Sequence, residues 1–205
     1  NAEDTEYRTL EKVVDREWKI RADRELESVI LEVLQKGSDY PILSEESGSL
    51  AGQGNKRWIV DPIDGSANFL RGVPFYCVSV GLWENETPLL GAVLEIPSNR
   101  LFTGIVGVGA WCNGEPIGVT DELPDEPSKA VFCTGLPVEF KYSEKNVRTL
   151  VSACRCFGKV RMLGSAALML CYVASRRCDS YWENKIALWD IGAGLAIAQA
   201  AGRVT

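Results

Sequence analysis

The stretch of residues 58–69 constrains the fold more than any other part of this sequence. It reads WIVDPIDGSANF, so an apolar strand leads directly into a carboxylate at Asp61. Pro62 lacks a backbone donor and is expected to end regular strand pairing. Gly65-Ser66 then allows a tight turn before a helix. The stretch therefore predicts a strand, a turn and a helix start, with a second carboxylate, Asp64, in the turn.

The spacing of these carboxylates suggests an ion site. Asp61 and Asp64 are three residues apart, and their oxygens can converge on one hard divalent cation if the turn curls. A helix that begins near Ser66 would point the amides of Gly65 and Ser66 at an anion such as phosphate. Asp-Pro and Asp-Gly are also common turn formers, so the motif alone is compatible with a simple surface turn.

The 205-residue chain contains no histidine. Catalysis by Ser-His-Asp or Cys-His groups is therefore excluded, as are zinc sites that need imidazole. Chemistry near neutral pH must rely on carboxylates, hydroxyls, thiols, lysine or a hard metal. A net charge of −6 argues against a nucleic-acid surface.

The remaining composition is that of a globular protein in a reducing compartment. Seven scattered cysteines with no C-x-x-C spacing predict reduced core thiols in the cytoplasm. No apolar run is long enough to span a membrane. No signal peptide is expected, because the chain opens without a charged and then apolar leader.

Strand-like and helix-like segments alternate along the chain, which predicts an α/β or layered α+β class. A helix is predicted over 24–35, with Leu26, Val29, Ile30, Val33 and Leu34 on its core face and Asp23 as N-cap. A surface loop is predicted over 44–55. Later helices are predicted over 144–157, 165–175 and 187–201, with strand-like runs between the motifs.

We expect a single domain over 1–205, with an α+β half over about 1–125 and an α/β half over about 126–205. The acidic, proline-bearing segment 122–129 would join the halves. Val204-Thr205 resembles the start of a strand, so further residues are expected at the C-terminus.

Four more acidic residues accompany the motif at three places along the chain, and each place has a simple explanation by itself. Glu45-Glu46 could be a solvated loop, and Asp23 a helix cap. Asp190 could be a helix-start carboxylate favoured by the dipole. Their order along the chain, taken together with the motif, is more informative than any one of them alone.

This order resembles the inositol monophosphatase family of metal-dependent, lithium-sensitive sugar phosphatases. The resemblance covers about residue 19 to the end. It is carried by Ser44-Glu45-Glu46, the DPIDGS element, Gly164-Ser165-Ala166, Glu183 and Leu188-Trp189-Asp190. It implies the αβαβα sandwich of the inositol monophosphatase and fructose-1,6-bisphosphatase type, built as a homodimer.

The resemblance also implies roles for particular residues. Two or three Mg²⁺ ions would be held by Glu45, Asp61, the carbonyl of Ile63, Asp64 and Asp190. Ser66, where the family usually has Thr, would bond Asp23 and orient an attacking water, with Glu45 also in the catalytic set. Gly65 and Ser66 would bind phosphate, and the substrate pocket would be formed by Gly164, Ser165, Ala166 and Glu183.

These roles imply direct attack of a metal-activated water on myo-inositol monophosphate or a similar polyol phosphate. Fructose 1,6-bisphosphate, 3′-phosphoadenosine 5′-phosphate and histidinol phosphate remain open as substrates. A non-catalytic binding or regulatory protein of the same fold is the alternative from another class. No nucleic-acid or membrane partner is expected.

Overall fold

The fold is described from a computed structural model, which covers residues 9–14, 17–118, 124–136 and 141–203. Its fold class is mixed α/β with layered sheets and helices, as predicted. The predicted joining segment lies partly outside the described residues, and the predicted strand start at 204–205 lies wholly outside them.

A large sheet dominates the first half of the chain. Its strand order is β10-β9-β8-β7-β6-β5-β3-β4. All neighbours are antiparallel except β3 and β5, which run parallel. The strands are β3 (Ile42–Ser44), β4 (Gly48–Leu50), β5 (Lys56–Asp64), β6 (Cys77–Glu84), β7 (Thr87–Glu95), β8 (Arg100–Ile105), β9 (Gly109–Cys112) and β10 (Glu115–Ile117).

The helices pack on this sheet and on two smaller ones. A hairpin of β1 (Leu10–Val14) and β2 (Glu17–Ile20) precedes the first helix. The second half contains a small parallel sheet of β11 (Val131–Cys133), β12 (Lys159–Arg161) and β13 (Ser180–Tyr181), in the order β12-β11-β13. The α-helices are α1 (Arg21–Gly37), α2 (Ser66–Arg71), α3 (Glu144–Cys156), α4 (Ala166–Ala174) and α5 (Leu188–Ala200).

Burial on the two faces of the small sheet shows how the layers stack. Cys133 packs with Met169 of α4 in one apolar cluster. Phe132, the preceding residue, stacks on Phe157 at the end of α3, with ring centroids 4.6 Å apart. Since successive strand residues point to opposite faces, the sheet lies between α4 and α3. Helix α1 packs on β5 of the large sheet, and α5 packs on both that sheet and α4, which gives the predicted layers.

A row of glycines lets α5 approach the large sheet closely. Gly81, Gly91 and Gly104 are opposite one another on β6, β7 and β8. A Cβ at Gly91 would lie 2.3 Å from the carbonyl oxygen of Ala193, so any side chain there would collide with the helix backbone. The glycine row therefore sets how deeply α5 sits on the sheet.

The strand that carries the motif continues further than predicted. β5 runs through Pro62 to Asp64, although its pairing with β6 becomes irregular between Asp61 and Asp64. Pro62 thus interrupts regular pairing without ending the strand. Helix α2 begins at Ser66, as predicted, after Gly65 in a left-handed conformation with φ of 96°.

Helix α1 corrects two predictions. Its predicted core face is partly solvent-exposed, since Val29 and Val33 are 60% and 64% exposed. The side chains of Asp23 and Glu27 are buried instead. Asp23 is not the N-cap; it lies in the first turn and accepts a hydrogen bond from the amide of Ile20. The helix was predicted correctly, but the side that it buries carries two carboxylates beside the buried Ala22 and the half-buried Leu26.

Two other predictions concern loops and thiols. The stretch predicted as a loop over 44–55 contains β4, which pairs with β3. The cysteines are free thiols, and those at 77, 133, 171 and 178 are buried, while Cys156 is exposed. Among the described residues, no helix is long and apolar enough to cross a membrane.

Candidate metal centre

Three carboxylates converge where β5 ends and α5 begins. Asp61, Asp64 and Asp190 each place one carboxylate oxygen within 4.8 Å of the other two. Two of them come from the motif strand, and the third comes from the first turn of a helix more than 120 residues later. The predicted convergence of distant acidic side chains is therefore present in the fold.

Asp61 is the most buried member of this cluster. Its side chain is 1% exposed, and its Oδ1 atom has no hydrogen-bond partner among the residues that the structure describes. Burial raises the pKa of Asp61 well above its usual range, and the negative charges of Glu45, Asp64 and Asp190 raise it further. A buried carboxylate oxygen without a donor is costly, and a cation is the partner that would remove the cost.

Asp64 is held by the start of α4. Its Oδ2 accepts hydrogen bonds from the hydroxyl of Ser165 at 2.7 Å and from the amide of Ala167 at 2.6 Å. Burial raises its pKa to about 7, although these hydrogen bonds act in the opposite direction. One oxygen of Asp64 is thus fixed by the protein.

Asp190 completes the cluster from the other side. It lies in the first turn of α5 and accepts a 3.2 Å hydrogen bond from the amide of Ala187. Burial raises its pKa to about 8, and the charges of Asp64 and Glu45 add to this. A bound cation would oppose both causes, because it favours the charged form of the carboxyl.

Glu45 and Ile63 lie beside the three carboxylates. The amide of Glu45 donates to the carbonyl of Val60, one residue before Asp61, at 3.2 Å. A hydrogen bond with Glu45 is among the causes that raise the pKa of Asp61. The carbonyl of Ile63 accepts a 2.9 Å hydrogen bond from the Ser66 hydroxyl, and a carbonyl oxygen has a second lone pair free for another ligand.

Asp23 and Ser66 are neighbours across the site. The Ser66 hydroxyl lies 3.5 Å from Oδ1 of Asp23, a longer contact than its bond to Ile63. Because a hydroxyl has a single proton, it donates to Ile63 in this arrangement. Its oxygen remains available to accept a hydrogen bond from a small molecule.

The turn after β5 is packed tightly against the second half of the chain. A Cβ on Gly65 would lie 3.0 Å from the carbonyl oxygens of both Gly164 and Phe75. The side-chain amide of Asn68 donates to the carbonyls of Phe75 and Leu163. These contacts bring the predicted phosphate-binding turn and the predicted substrate segment together.

The predicted substrate residues differ in exposure. Ser165 and Ala166 are buried, at 1% and 5% exposure, so the Ser165 hydroxyl serves Asp64 instead of facing solvent. Glu183 is partly buried and accepts a 3.0 Å hydrogen bond from the hydroxyl of Tyr181. Burial raises the pKa of Glu183. A Cβ on Gly135 would lie 2.2 Å from its carboxylate, so that glycine makes room for it.

Sequence reasoning missed two contacts around this site. The bonds from Ser165 and Ala167 to Asp64 join segments about one hundred residues apart, and no local pattern signals them. The buried Glu27 was also missed. Its signal was the position four residues after Asp23, which places both carboxylates on one helix face.

The chain is similar to known proteins over most of its length. Residues 7–205 match the family described as "Inositol monophosphatase family". A protein of Rhizobium meliloti named "Inositol-1-monophosphatase" is 39% identical, covering 89% of this chain and 69% of that protein. A Xylella fastidiosa protein named "Nus factor SuhB" is 38% identical, covering 88% and 65%.

A solved structure has the same fold. The inositol monophosphatase from Anabaena (Nostoc) sp. PCC 7120 superposes with a TM-score of 0.82 at 37% identity, covering 88% of this chain and 72% of that chain. The present chain spans about two thirds of the length of the curated relatives named above. The family match, the sequence identities and the shared fold together place this chain in the inositol monophosphatase family.

Proposed function

We propose that this protein is a Mg²⁺-dependent phosphomonoesterase that acts on myo-inositol monophosphate or a similar polyol or sugar phosphate. One observation carries the proposal: three carboxylates from β5 and α5 converge within 4.8 Å, in a setting that raises the pKa of each. Membership of a phosphatase family supports it.

The donor set fits a hard divalent ion. The candidate ligands are the carboxylates of Glu45, Asp61, Asp64 and Asp190 and the carbonyl of Ile63. All are oxygen donors, as Mg²⁺ prefers. The Oδ1 of Asp61, which no described residue hydrogen-bonds, fits direct ligation. A bound divalent ion supplies positive charge against the phosphate dianion and the leaving oxygen.

The protein's own groups would position the other reactants. The amides of Gly65 and Ser66, at the start of α2, would bind phosphate oxygens. The Ser66 hydroxyl, beside Asp23, would accept a hydrogen bond from the attacking water and hold it in line. Glu183 would accept a hydrogen bond from a hydroxyl of the substrate, which supports a polyol over an apolar leaving group.

Hydrolysis would occur by direct attack of water on phosphorus. No histidine is available as a covalent acceptor, and the carboxylates are assigned to the metal. A phospho-aspartate trapped by acid quench would contradict this mechanism.

A phosphate-release panel tests the activity. Inositol 1-phosphate, fructose 1,6-bisphosphate, 3′-phosphoadenosine 5′-phosphate and histidinol phosphate would each be assayed with Mg²⁺ and with a chelator. We expect Mg²⁺-dependent release, greatest with the inositol phosphate. Asp125→Asn, which removes an exposed carboxylate paired with Lys129, is the control and should remain active. Absence of release from every substrate would contradict the proposal.

A second candidate is a binding or regulatory role that uses the same fold without catalysis. The observation that favours it is the name "Nus factor SuhB", which several relatives carry, among them those of Xylella fastidiosa and Pasteurella multocida. An inactive panel together with a stable, metal-binding protein would favour this candidate.

The proposal extends to assembly and location. By the sequence resemblance, the protein would be a lithium-sensitive homodimer in the cytoplasm, with no nucleic-acid or membrane partner. Analytical ultracentrifugation would test the dimer, and inhibition of phosphate release by LiCl would test the lithium sensitivity.

A further inference from the structure

Glu27 is a buried carboxylate that the proposed chemistry does not use. It is 6% exposed and lies on α1, one helical turn after Asp23. Its carboxylate accepts three hydrogen bonds: from the hydroxyl of Ser44 at 2.5 Å, from the amide of Ser47 at 3.0 Å and from the hydroxyl of Ser47 at 2.6 Å. All three donors belong to one short turn.

That turn carries Glu45 and Glu46 between the two serines. On one side the sheet holds it, because Ser44 ends β3 opposite Val60 of β5, and the amide of Glu45 bonds the Val60 carbonyl. On the other side Glu27 holds both of its ends. The backbone of Glu45 is therefore fixed between the strand that bears Asp61 and the helix that bears Glu27.

We propose that Glu27 is a positioning residue for the metal centre, which acts by fixing the turn that presents Glu45. This inference rests on the proposed function, since it assigns Glu45 to metal binding. Helix α1 thus brings two carboxylates to the site. Glu27 accepts hydrogen bonds from the turn after β3, and Oδ1 of Asp23 lies 3.5 Å from the hydroxyl of Ser66, the first residue of α2.

The expected consequence is a loss of metal affinity with retention of the other ligands. Without its anchors at Ser44 and Ser47, the turn would sample more positions, and Glu45 would have to be ordered when the metal binds. Asp61, Asp64 and Asp190 are held by β5, α4 and α5, and among the described residues the side-chain hydrogen bonds of Glu27 go only to Ser44 and Ser47. The centre should therefore be weakened but not destroyed.

The test compares Glu27→Gln with Glu32→Gln in the full chain. Glu32 lies on the same helix but is 65% exposed and pairs with Lys36, so its substitution removes the same charge without touching the turn. Titration calorimetry with Mg²⁺ alone should show about a tenfold weaker affinity for Glu27→Gln and an unchanged affinity for Glu32→Gln. At saturating Mg²⁺, the kcat of Glu27→Gln should approach that of the wild type.

A second readout separates positioning from general stability. A merely structural role for Glu27 would lower the Tm equally with and without Mg²⁺, whereas a positioning role would reduce the Tm increase that Mg²⁺ produces. Wild-type Mg²⁺ affinity in a folded Glu27→Gln would overturn the inference. If that variant does not fold, Ser44→Ala and Ser47→Ala remove single donors, and unchanged affinity in both would overturn it equally.

The outcomes distinguish this inference from the proposed function. A wild-type protein that binds Mg²⁺ but hydrolyses none of the four phosphates contradicts the proposed activity, while weakened binding in Glu27→Gln would still support the positioning role. A wild-type protein that binds no Mg²⁺ overturns both.

Discussion

The hydroxyl of Ser165 donates a 2.7 Å hydrogen bond to Asp64, 101 residues away in sequence. The same oxygen accepts a hydrogen bond from the amide of Leu168 and so caps the N-terminus of helix α4. One side chain therefore begins a helix and fixes a carboxylate of the candidate metal centre.

Ser165→Ala should lower both stability and metal affinity. Loss of the cap costs about 1 kcal/mol, and loss of a buried hydrogen bond to a carboxylate adds about 1 to 3 kcal/mol. Ser143→Ala is the matched control, since Ser143 caps the exposed start of α3 through the amide of Asn146. Urea unfolding should show the larger loss for Ser165→Ala, and only this variant should bind Mg²⁺ more weakly. Equal effects in both variants would show that the bond to Asp64 contributes nothing.

Asp61→Asn should separate activity from stability. The substitution removes one charge from a cluster in which neighbouring carboxylates raise the pKa of Asp61, so the metal-free protein should keep its fold and gain in Tm. Phosphate release should fall by at least about a thousandfold, because a central ligand is lost. Thermal melting in a chelator and a phosphate-release assay check the two effects. Retained turnover would show that Asp61 does not hold the metal.

The stability of the metal-free protein should fall as pH rises from about 4 to about 8. The pKa of Asp64 is about 7 and that of Asp190 is about 8 in the folded state, against 3.8 for an unperturbed aspartate. Over this range the folded protein binds more protons than the unfolded chain, so deprotonation favours unfolding. Mg²⁺ should offset the loss, and its effect on Tm should be greater at pH 8.5 than at pH 6.

Asp190→Asn provides the control for this pH dependence. It removes the carboxyl whose pKa is about 8 in the folded state, so the decline in Tm between pH 4 and pH 8 should become shallower in the chelated protein. An identical decline in wild type and variant would mean that other groups cause it.

Gly91→Ala should lift α5 from the large sheet. Its Cβ would lie 2.3 Å from the carbonyl oxygen of Ala193, and overpacking of this kind costs about 1 to 3 kcal/mol. Gly37→Ala is the control, since a Cβ there meets no atom of the described residues within 4 Å. Urea unfolding should show destabilisation by Gly91→Ala alone. Mg²⁺ binding should weaken with it, because Asp190 moves with the helix.

Local patterns predicted the elements better than their packing. The apolar periodicity of α1 correctly indicated a helix. However, the serines of the turn after β3 donate hydrogen bonds to a buried carboxylate of this helix, while Val29 and Val33 remain exposed. β4 was predicted as a loop because glycine and serine have low strand propensity. Its pairing with β3 is a tertiary effect that no local pattern contains.

The candidate site was predictable to the extent that its residues form a motif. The spacing of Asp61 and Asp64 predicted that they share a site, and the order of motifs in the family predicted the role of Asp190. Ser165 was assigned to the pocket wall, but its hydroxyl is buried against Asp64. That bond depends on how α4 meets the end of β5, which is information that only the assembled fold provides.

The glycines beneath α5 affect the distances between the carboxylates of the candidate metal centre, although they do not belong to it. Asp61 and Asp64 belong to the sheet, whereas Asp190 belongs to the helix, so the depth at which the helix rests determines the gap between them. Discrimination between Mg²⁺ and the larger Ca²⁺ depends on cavity size. In the proposed Mg²⁺ centre, substitution of Gly81, Gly91 or Gly104 should therefore change the preference between the two ions, although none of these residues offers a side chain to the ion.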